Sequence, residues 1–203
     1  MIQYHAAGDW ARALIDLPRP LGIVLTMGAI HAGHIRLIEE AKDECSSVVA
    51  TIFVNPKQFG VGEDLNNYPR PISADINLLE QSGVDAVFCP SVDEIYPESF
   101  STSIKPGGPA FRFEADQRPG HFDGVSTVVV KLLNQARADR AYFGRKDAQQ
   151  VAVIKHVLSD LSVPTSVVVV PTARDRDGLA ISSRNQYLSD SDRARAINLF
   201  RAL

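Results

Sequence analysis

An α/β fold built on a doubly wound parallel sheet is what this chain predicts, on three observations. Short apolar runs recur at residues 21–26, 48–54, 84–89, 140–143 and 166–170, and Val48-Val49-Ala50-Thr51-Ile52-Phe53-Val54 is continuous rather than alternating, as in strands buried on both faces. Between the runs lie segments with apolar residues at helical steps, such as Ile35, Ile38 and Ala41 with Leu37 nearby, which present one face to a sheet. Glycine, proline and polar residues gather where the runs end, at Gly28, at Asn55-Pro56 and at Gly144-Arg145-Lys146-Asp147. In open α/β sheets the carboxyl ends of the strands are where ligands bind. The arrangement is Rossmann-like.

The elements follow in order. A short helix is expected over residues 9–16, then the strand 21–26, bounded by Pro18 and Pro20, and a helix after Gly33. After the second strand, residues 60–71 read as a loop in which Asp64 begins a short helical turn. A helix over 73–81 ends at Gly83 and leads to the strand 84–89. A further strand is expected at 101–105, closed by Pro106-Gly107-Gly108-Pro109. The stretch 112–124 is polar and irregular and feeds a long apolar helix over 125–136. The helix after Asp147 packs through Val151, Ile154, Val157, Leu158 and Leu161, and the strand 166–170 closes at Pro171. A charged link, Arg174-Asp175-Arg176-Asp177-Gly178, precedes Ser189-x-x-Asp192, a capping box opening a helix with Ala194, Ile197 and Phe200 on one side.

Composition narrows the classes. With 203 residues, 45% of them hydrophobic, the chain can bury one core and begin a second. A net charge of -3, a pI near 5.9 and dispersed cations leave no footprint for nucleic acid. Cys45 and Cys89 read as reduced, buried thiols of a cytosolic protein, with a bridge between them left open. The start Met1-Ile2-Gln3-Tyr4-His5 has neither a basic head nor an apolar signal core, and no run approaches membrane-spanning length. A soluble, cytoplasmic protein with no membrane partner is expected.

The chemistry gathers at strand ends. In Thr26-Met27-Gly28-Ala29-Ile30-His31-Ala32-Gly33-His34 the glycines permit a tight turn, and the helix start offers free N–H groups and a positive dipole end, suited to an anion. His31 and His34 share one side of the first turn and can address one phosphate together. Partly exposed helix-start histidines are the plain alternative. A zinc site drawing on His5, His121, His156, Cys45 and Cys89 is another, although H-E-x-x-H is absent. Asn55 and Gln58 can hold both the hydroxyl and the carboxylate of a hydroxy acid, or they can merely satisfy an Asx-type turn. Lys146 can neutralise phosphate oxygens, and Ile181-Ser182-Ser183-Arg184-Asn185 can grip a triphosphate or form a solvated turn. His121 in its polar loop reads as structural.

Taken together, Thr26–His34, Phe53-Val54-Asn55-Pro56-Lys57-Gln58-Phe59, Arg118-Pro119-Gly120-His121-Phe122, Gly144-Arg145-Lys146-Asp147-Ala148-Gln149-Gln150 and Ser182-Ser183-Arg184-Asn185 resemble the pantothenate synthetase (pantoate and β-alanine ligase) family of the H-x-G-H nucleotidyltransferase superfamily. The resemblance implies that pantoate attacks ATP to give pantoyl adenylate and pyrophosphate, and that β-alanine then displaces AMP. It implies catalytic roles for His34, His31 and Lys146. ATP is expected on Met27, Gly28, Ala29, Ile30, His31, Ala32, Gly33 and His34, on Gly144, Arg145, Lys146 and Asp147, on Ala173, and on a mobile clamp of Ile181, Ser182, Ser183 and Arg184. Pantoate is expected on Gln58, Gln150 and Asn55, with β-alanine near Gln58. Mg2+ would accompany ATP, its ligands undetermined, and relatives suggest a homodimer. Ala32, Lys57, Ala148 and Ala173 stand where the family usually has an acidic residue, an apolar residue, an aromatic and a valine.

The same resemblance divides the chain into a nucleotide- and pantoate-binding domain, residues 1–173, and the start of a smaller lid domain, residues 174–203, taken as truncated. The competing functions are another nucleotidyltransferase of the superfamily, activating a phosphate monoester, and a nucleotide-binding module without turnover.

Overall fold

The computed structural model describes residues 1–202. In chain order its main elements are β1 (Ile2–Tyr4), α1 (Ala7–Ala13), β2 (Leu21–Thr26), α2 (Ala32–Glu44), β3 (Ser47–Ile52), α3 (Ile72–Gln81), β4 (Ala86–Phe88), α4 (Val92–Ile95), α5 (Glu114–Gln117), α6 (His121–Ala136), β5 (Arg140–Gly144), α7 (Ala148–Asp160), β6 (Ser166–Val170) and α8 (Asp190–Ala202). The strands make one sheet in the order β1-β4-β3-β2-β5-β6, with every pairing parallel. From β2 the chain winds one way through β3 to β4, and from β5 it winds the other way to β6. The order therefore reverses between β2 and β5, and the connections leaving these neighbours depart to opposite faces. That divergence opens a crevice at their carboxyl ends.

Successive strand residues point to opposite layers. Leu21, Ile23, Val49, Ala141 and Phe143 join Trp10, Leu133 and Ile154 from α1, α6 and α7. Val24, Val48, Ala50 and Tyr142 join Ile38, Ala41 and Leu79 from α2 and α3. Burial on both faces explains the unbroken apolar runs. In α6 the valine-rich sequence is a poor helix former, so its buried face, Val125, Val128, Val129, Leu132 and Leu133, holds the helix through packing.

Several expectations are corrected. The N-terminal residues form an edge strand, β1, paired to β4. Residues 101–105 make no strand: the Ile104 amide donates instead to Thr127 Oγ1 on α6 (2.9 Å). The long helix begins at His121 rather than at 125, because His121, Phe122 and Gly124 are buried and belong to its first turn. The link at 174–178 is a closed turn, with Arg174 bridged to Ala180 and the Asp175 amide on Leu179 O (2.8 Å). Arg193 of α8 pairs with Asp175 (2.7 Å) and Asp177, and the Phe200 ring lies 4.6 Å from the Arg174 guanidinium, so one side of α8 is seated on that turn. The expected cap is present, with Ser189 Oγ accepting from the Asp192 amide (3.2 Å). Leu203, the last residue of the expected second domain, lies outside the described residues. Among those described, no helix is long and apolar enough to cross a membrane.

Candidate active site

A cavity of about 260 Å³ occupies the crevice where the strand order reverses. Its floor is the ends of β2 and β5, and its walls include Met27, His31, Gly33 and His34 on one side and Gly144, Lys146, Asp147 and Gln150 on the other. Ala173, Ile181, Ser182, Ser183 and Arg184 close a third side, while Asn55, Gln58, Arg118 and His121 line the remainder. Residues drawn from five separate sequence motifs thus meet in one place.

The two histidines at the start of α2 are stacked, ring centroids 4.0 Å apart. Each uses its Nδ1 as an acceptor: His31 Nδ1 takes the Gly33 amide (3.1 Å) and His34 Nδ1 takes the His31 amide (3.3 Å), a reciprocal cap of the helix. An imidazole whose Nδ1 accepts carries its proton on Nε2 when neutral. Burial, then the His31 ring and Lys146, pull His34 down to about 3. Burial and Lys146 also lower His31. At neutral pH both rings are therefore uncharged, with Nε2–H left over as donors. They can stabilise anionic oxygens, but they are poor general bases.

The expectation of free main-chain amides along this motif is corrected. Gly28 N donates to Thr26 Oγ1 (3.1 Å), and Ala29 N and Ile30 N donate to Asp75 Oδ2 and Oδ1 (2.9 and 2.7 Å). Asp75, buried in the first turn of α3, fixes a loop in which Gly28 (φ 82°) and Ala29 (φ 51°) are consecutive left-handed residues. A Cβ on residue 28 would stand 2.9 Å from Asp75 Oδ2, so glycine is needed there twice over. Gly28, Ala29, Ile30, Ala32 and Arg145 are not among the cavity-lining residues. The first three shape the site from behind because their amides are already engaged, and Arg145 is exposed. Asp75 was missed by sequence reasoning, although its signal is legible: an acid four residues before buried Leu79 lies on the inward stripe of its helix.

The turn after β3 is held as tightly. Asn55, 1% exposed, donates from Nδ2 to Gln58 Oε1 (3.0 Å) and Gly124 O (3.1 Å), and its Oδ1 accepts from Tyr96 OH (2.9 Å) and Lys57 N (3.2 Å). All of its hydrogen-bonding capacity is taken up, so the expectation that Asn55 itself holds a hydroxy acid is corrected: it positions Gln58. The Gln58 amide group donates to Met27 Sδ (3.1 Å), a weak acceptor, and keeps its second N–H. Behind it, Gln58 O accepts from His121 Nδ1 (2.8 Å) and Arg118 Nη2 (3.2 Å). Arg118 is in turn gripped by both Glu63 oxygens (2.9 and 2.6 Å) and by Glu114 (2.8 Å), and donates to His121 Nε2 (3.1 Å). His121 is buried, with its pKa lowered by that burial, and is structural as expected. Gly124 lets α6 approach this turn, since a Cβ there would sit 2.1 Å from Lys57 O.

On the opposite wall Gln149 is bound to Glu114 N, Pro109 O and Arg112 O (3.0 Å each), whereas Gln150 faces the cavity. Lys146 Nζ lies 2.9 Å from Asp147 Oδ1. Both cysteines are free thiols. Among the described residues no group of three His, Cys, Asp or Glu side chains could hold a metal ion, which overturns the zinc alternative.

Comparison with known proteins places the chain in a family. The family model described as pantoate-beta-alanine ligase matches residues 3–203. The pantothenate synthetase of Dinoroseobacter shibae is 50% identical over 196 residues, 97% of this chain and 68% of the relative. That of Rhodopirellula baltica is 48% identical over 197 residues, 96% of this chain and 70% of the relative. For Chlorobaculum tepidum the share of the relative falls to 64%, so the chain spans about two thirds of the length of these relatives. The crystal structure of pantothenate synthetase from Thermus thermophilus superposes with a TM-score of 0.94 at 48% identity, over 100% of this chain and 73% of that one. The Francisella tularensis pantoate-beta-alanine ligase, complexed with beta-gamma ATP and beta-alanine, superposes with a TM-score of 0.93 at 39% identity, over 99% of this chain and 78% of that one. With its full described length on that fold and a family match across all but its first residues, the chain belongs to the pantoate–β-alanine ligase family.

Proposed function

We propose that this chain condenses pantoate with β-alanine, using ATP, through an acyl adenylate. A pantoate carboxylate oxygen attacks the α-phosphorus and the bond to pyrophosphate breaks. The β-alanine amine then attacks the acyl carbon, the bond to the AMP oxygen breaks, and the amine gives up a proton. In this reading His31 and His34 donate from Nε2 to phosphate oxygens as charge grows on them, Lys146 adds a point charge, and Arg184 with Ser182 and Ser183 clamps the chain of phosphates. Asp147, Gly144 and Ala173 meet the nucleoside. Gln58 and Gln150 hold pantoate across the cavity, Gln58 also borders β-alanine, and Asn55, Arg118 and His121 keep Gln58 in place.

The observation that carries this reading is the pairing, in one crevice, of two neutral imidazole donors with the two amides of Gln58 and Gln150. It suits a triphosphate beside a hydroxy acid. Magnesium, expected with ATP, finds no ready protein cage among the described residues, so it would arrive bound to the phosphates. We further read residues 1–173 as the substrate-binding domain and 174–203 as a lid segment, and expect a homodimer in the cytoplasm.

Isotope exchange between pyrophosphate and ATP tests the mechanism. Exchange that requires pantoate is expected. Exchange driven by a phosphate monoester instead would identify another nucleotidyltransferase, and tight ATP binding with no exchange under any acid would leave a binding module.

A further inference from the structure

Residues 60–68 reach the cavity at Tyr68, and the two consecutive carboxylates of this segment are tied to different partners. Glu63 takes the Arg118 guanidinium, which donates to Gln58 O. Asp64 takes Arg184 by both oxygens, Oδ2 from Nε and Oδ1 from Nη2, each at 3.0 Å. Two more contacts join the same segments: Tyr187 OH donates to Asn67 O (3.1 Å), and Ser183 lies at the Tyr68 hydroxyl. The Arg184 hydrogen bonds hold the Asp64 carboxyl below its ordinary range, so the pair is charged at neutral pH. The guanidinium at the cavity wall thus has a carboxylate of the chain itself as its partner.

A bidentate fork fits carboxylate and phosphate equally well. A triphosphate reaching Arg184 would meet the Asp64 carboxylate within a few ångströms, and like charges at that range repel. We propose that Asp64 is a displaceable internal ligand of Arg184, for which the triphosphate must exchange, so that nucleotide binding unfastens residues 60–68 from residues 181–187. This rests on the reading of Arg184 as a phosphate ligand. The pair then sets nucleotide affinity without touching the nucleotide: it lowers the apparent affinity by the cost of separating the two side chains.

Equilibrium binding of a non-hydrolysable ATP analogue and of AMP to the wild-type chain, Asp64→Asn, Arg184→Ala and the double variant tests it. Asp64→Asn is expected to tighten the ATP analogue about threefold to tenfold, the range for a bidentate, half-exposed pair, and to leave AMP within about twofold. In the Arg184→Ala background the gain is expected to vanish. Equal tightening of AMP, an undiminished gain without Arg184, or no gain at all overturns the proposal. If wild type binds the analogue and Arg184→Ala does not weaken it, the assignment of Arg184 fails and the proposal with it. If Arg184→Ala weakens it and Asp64→Asn does nothing, only the exchange fails. Asp64→Ser provides a second variant should Asn misfold.

Discussion

Asp75→Asn is the substitution that most directly tests how the loop at residues 28–30 is built. The carboxylate is 1% exposed and receives two amides, Ala29 N at 2.9 Å and Ile30 N at 2.7 Å. Asparagine keeps one acceptor and turns an N–H donor toward the other amide, so one bond to a charged group is lost outright and the second is weakened. A hydrogen bond to a charged group contributes about 1.5–3 kcal/mol, and a buried orphan donor costs a further increment, giving a loss of about 2–4 kcal/mol. With a urea slope of about 2.5 kcal/mol/M the midpoint is expected to fall by about 1–1.5 M. Affinity for an ATP analogue is expected to drop at least about tenfold under conditions where the variant is still folded, because the left-handed pair at residues 28–29 loses what restrains it. Ala29→Gly is the control: it removes the cost of a left-handed alanine while adding freedom to the unfolded chain, and should stay within about 1 kcal/mol of wild type. An Asp75→Asn midpoint within about 0.3 M of wild type would refute the claim that this carboxylate supports the loop.

Other expectations follow from the same geometry. His34, His31 and His121 all have folded pKa values below the unfolded value, so their contribution to stability is complete above about pH 6.5 and is lost as pH falls toward about 3, where His34 titrates. His34→Asn should flatten that acid slope by up to about 1.4 kcal/mol per pH unit, measurable by urea melts at successive pH values; an unchanged slope would mean that His34 is already charged in the folded chain. Gly124→Ala drives a Cβ to 2.1 Å from Lys57 O, and is expected to cost about 2–4 kcal/mol and to raise the KM for pantoate more than that for ATP; equal shifts would argue against a link between α6 and Gln58. Gly178→Ala, at φ 95° with the Phe200 ring 2.0 Å from the new Cβ, should unseat α8 and speed proteolysis within residues 174–202 without lowering the main unfolding midpoint; a lower midpoint would place α8 in the central cooperative unit.

The sheet was legible because burial on both faces leaves unbroken apolar runs, and the strands 21–26 and 166–170 match the structure residue for residue. The edge strand β1 was not, since with two of its three residues exposed it carries no apolar run. The stretch 112–124 misled for a related reason: its polar residues Arg118 and His121 are internally paired rather than solvated, and polarity alone does not separate those states. At the site, His31, His34, Gln58, Lys146, Gln150 and Arg184 were readable from motif and position, and all line the cavity. The roles of Asn55 and the 28–30 amides were misjudged, because which lone pairs and N–H groups are already satisfied depends on Tyr96, Gly124 and Asp75, which are distant in sequence.

The stacked imidazoles at the start of α2 make one set of atoms serve two ends. Because Nδ1 of each ring closes the helix, the tautomer and the aim of the opposite nitrogen are fixed by the fold, and in the proposed function a polyanion would meet donors with little left to organise. The same economy couples the two ends: a replacement at residue 31 or 34 that lacks a capping acceptor alters what the crevice offers and loosens the first turn together. Redesign of this pocket for a different anion therefore has to begin at the helix end, with a new cap, before it touches specificity.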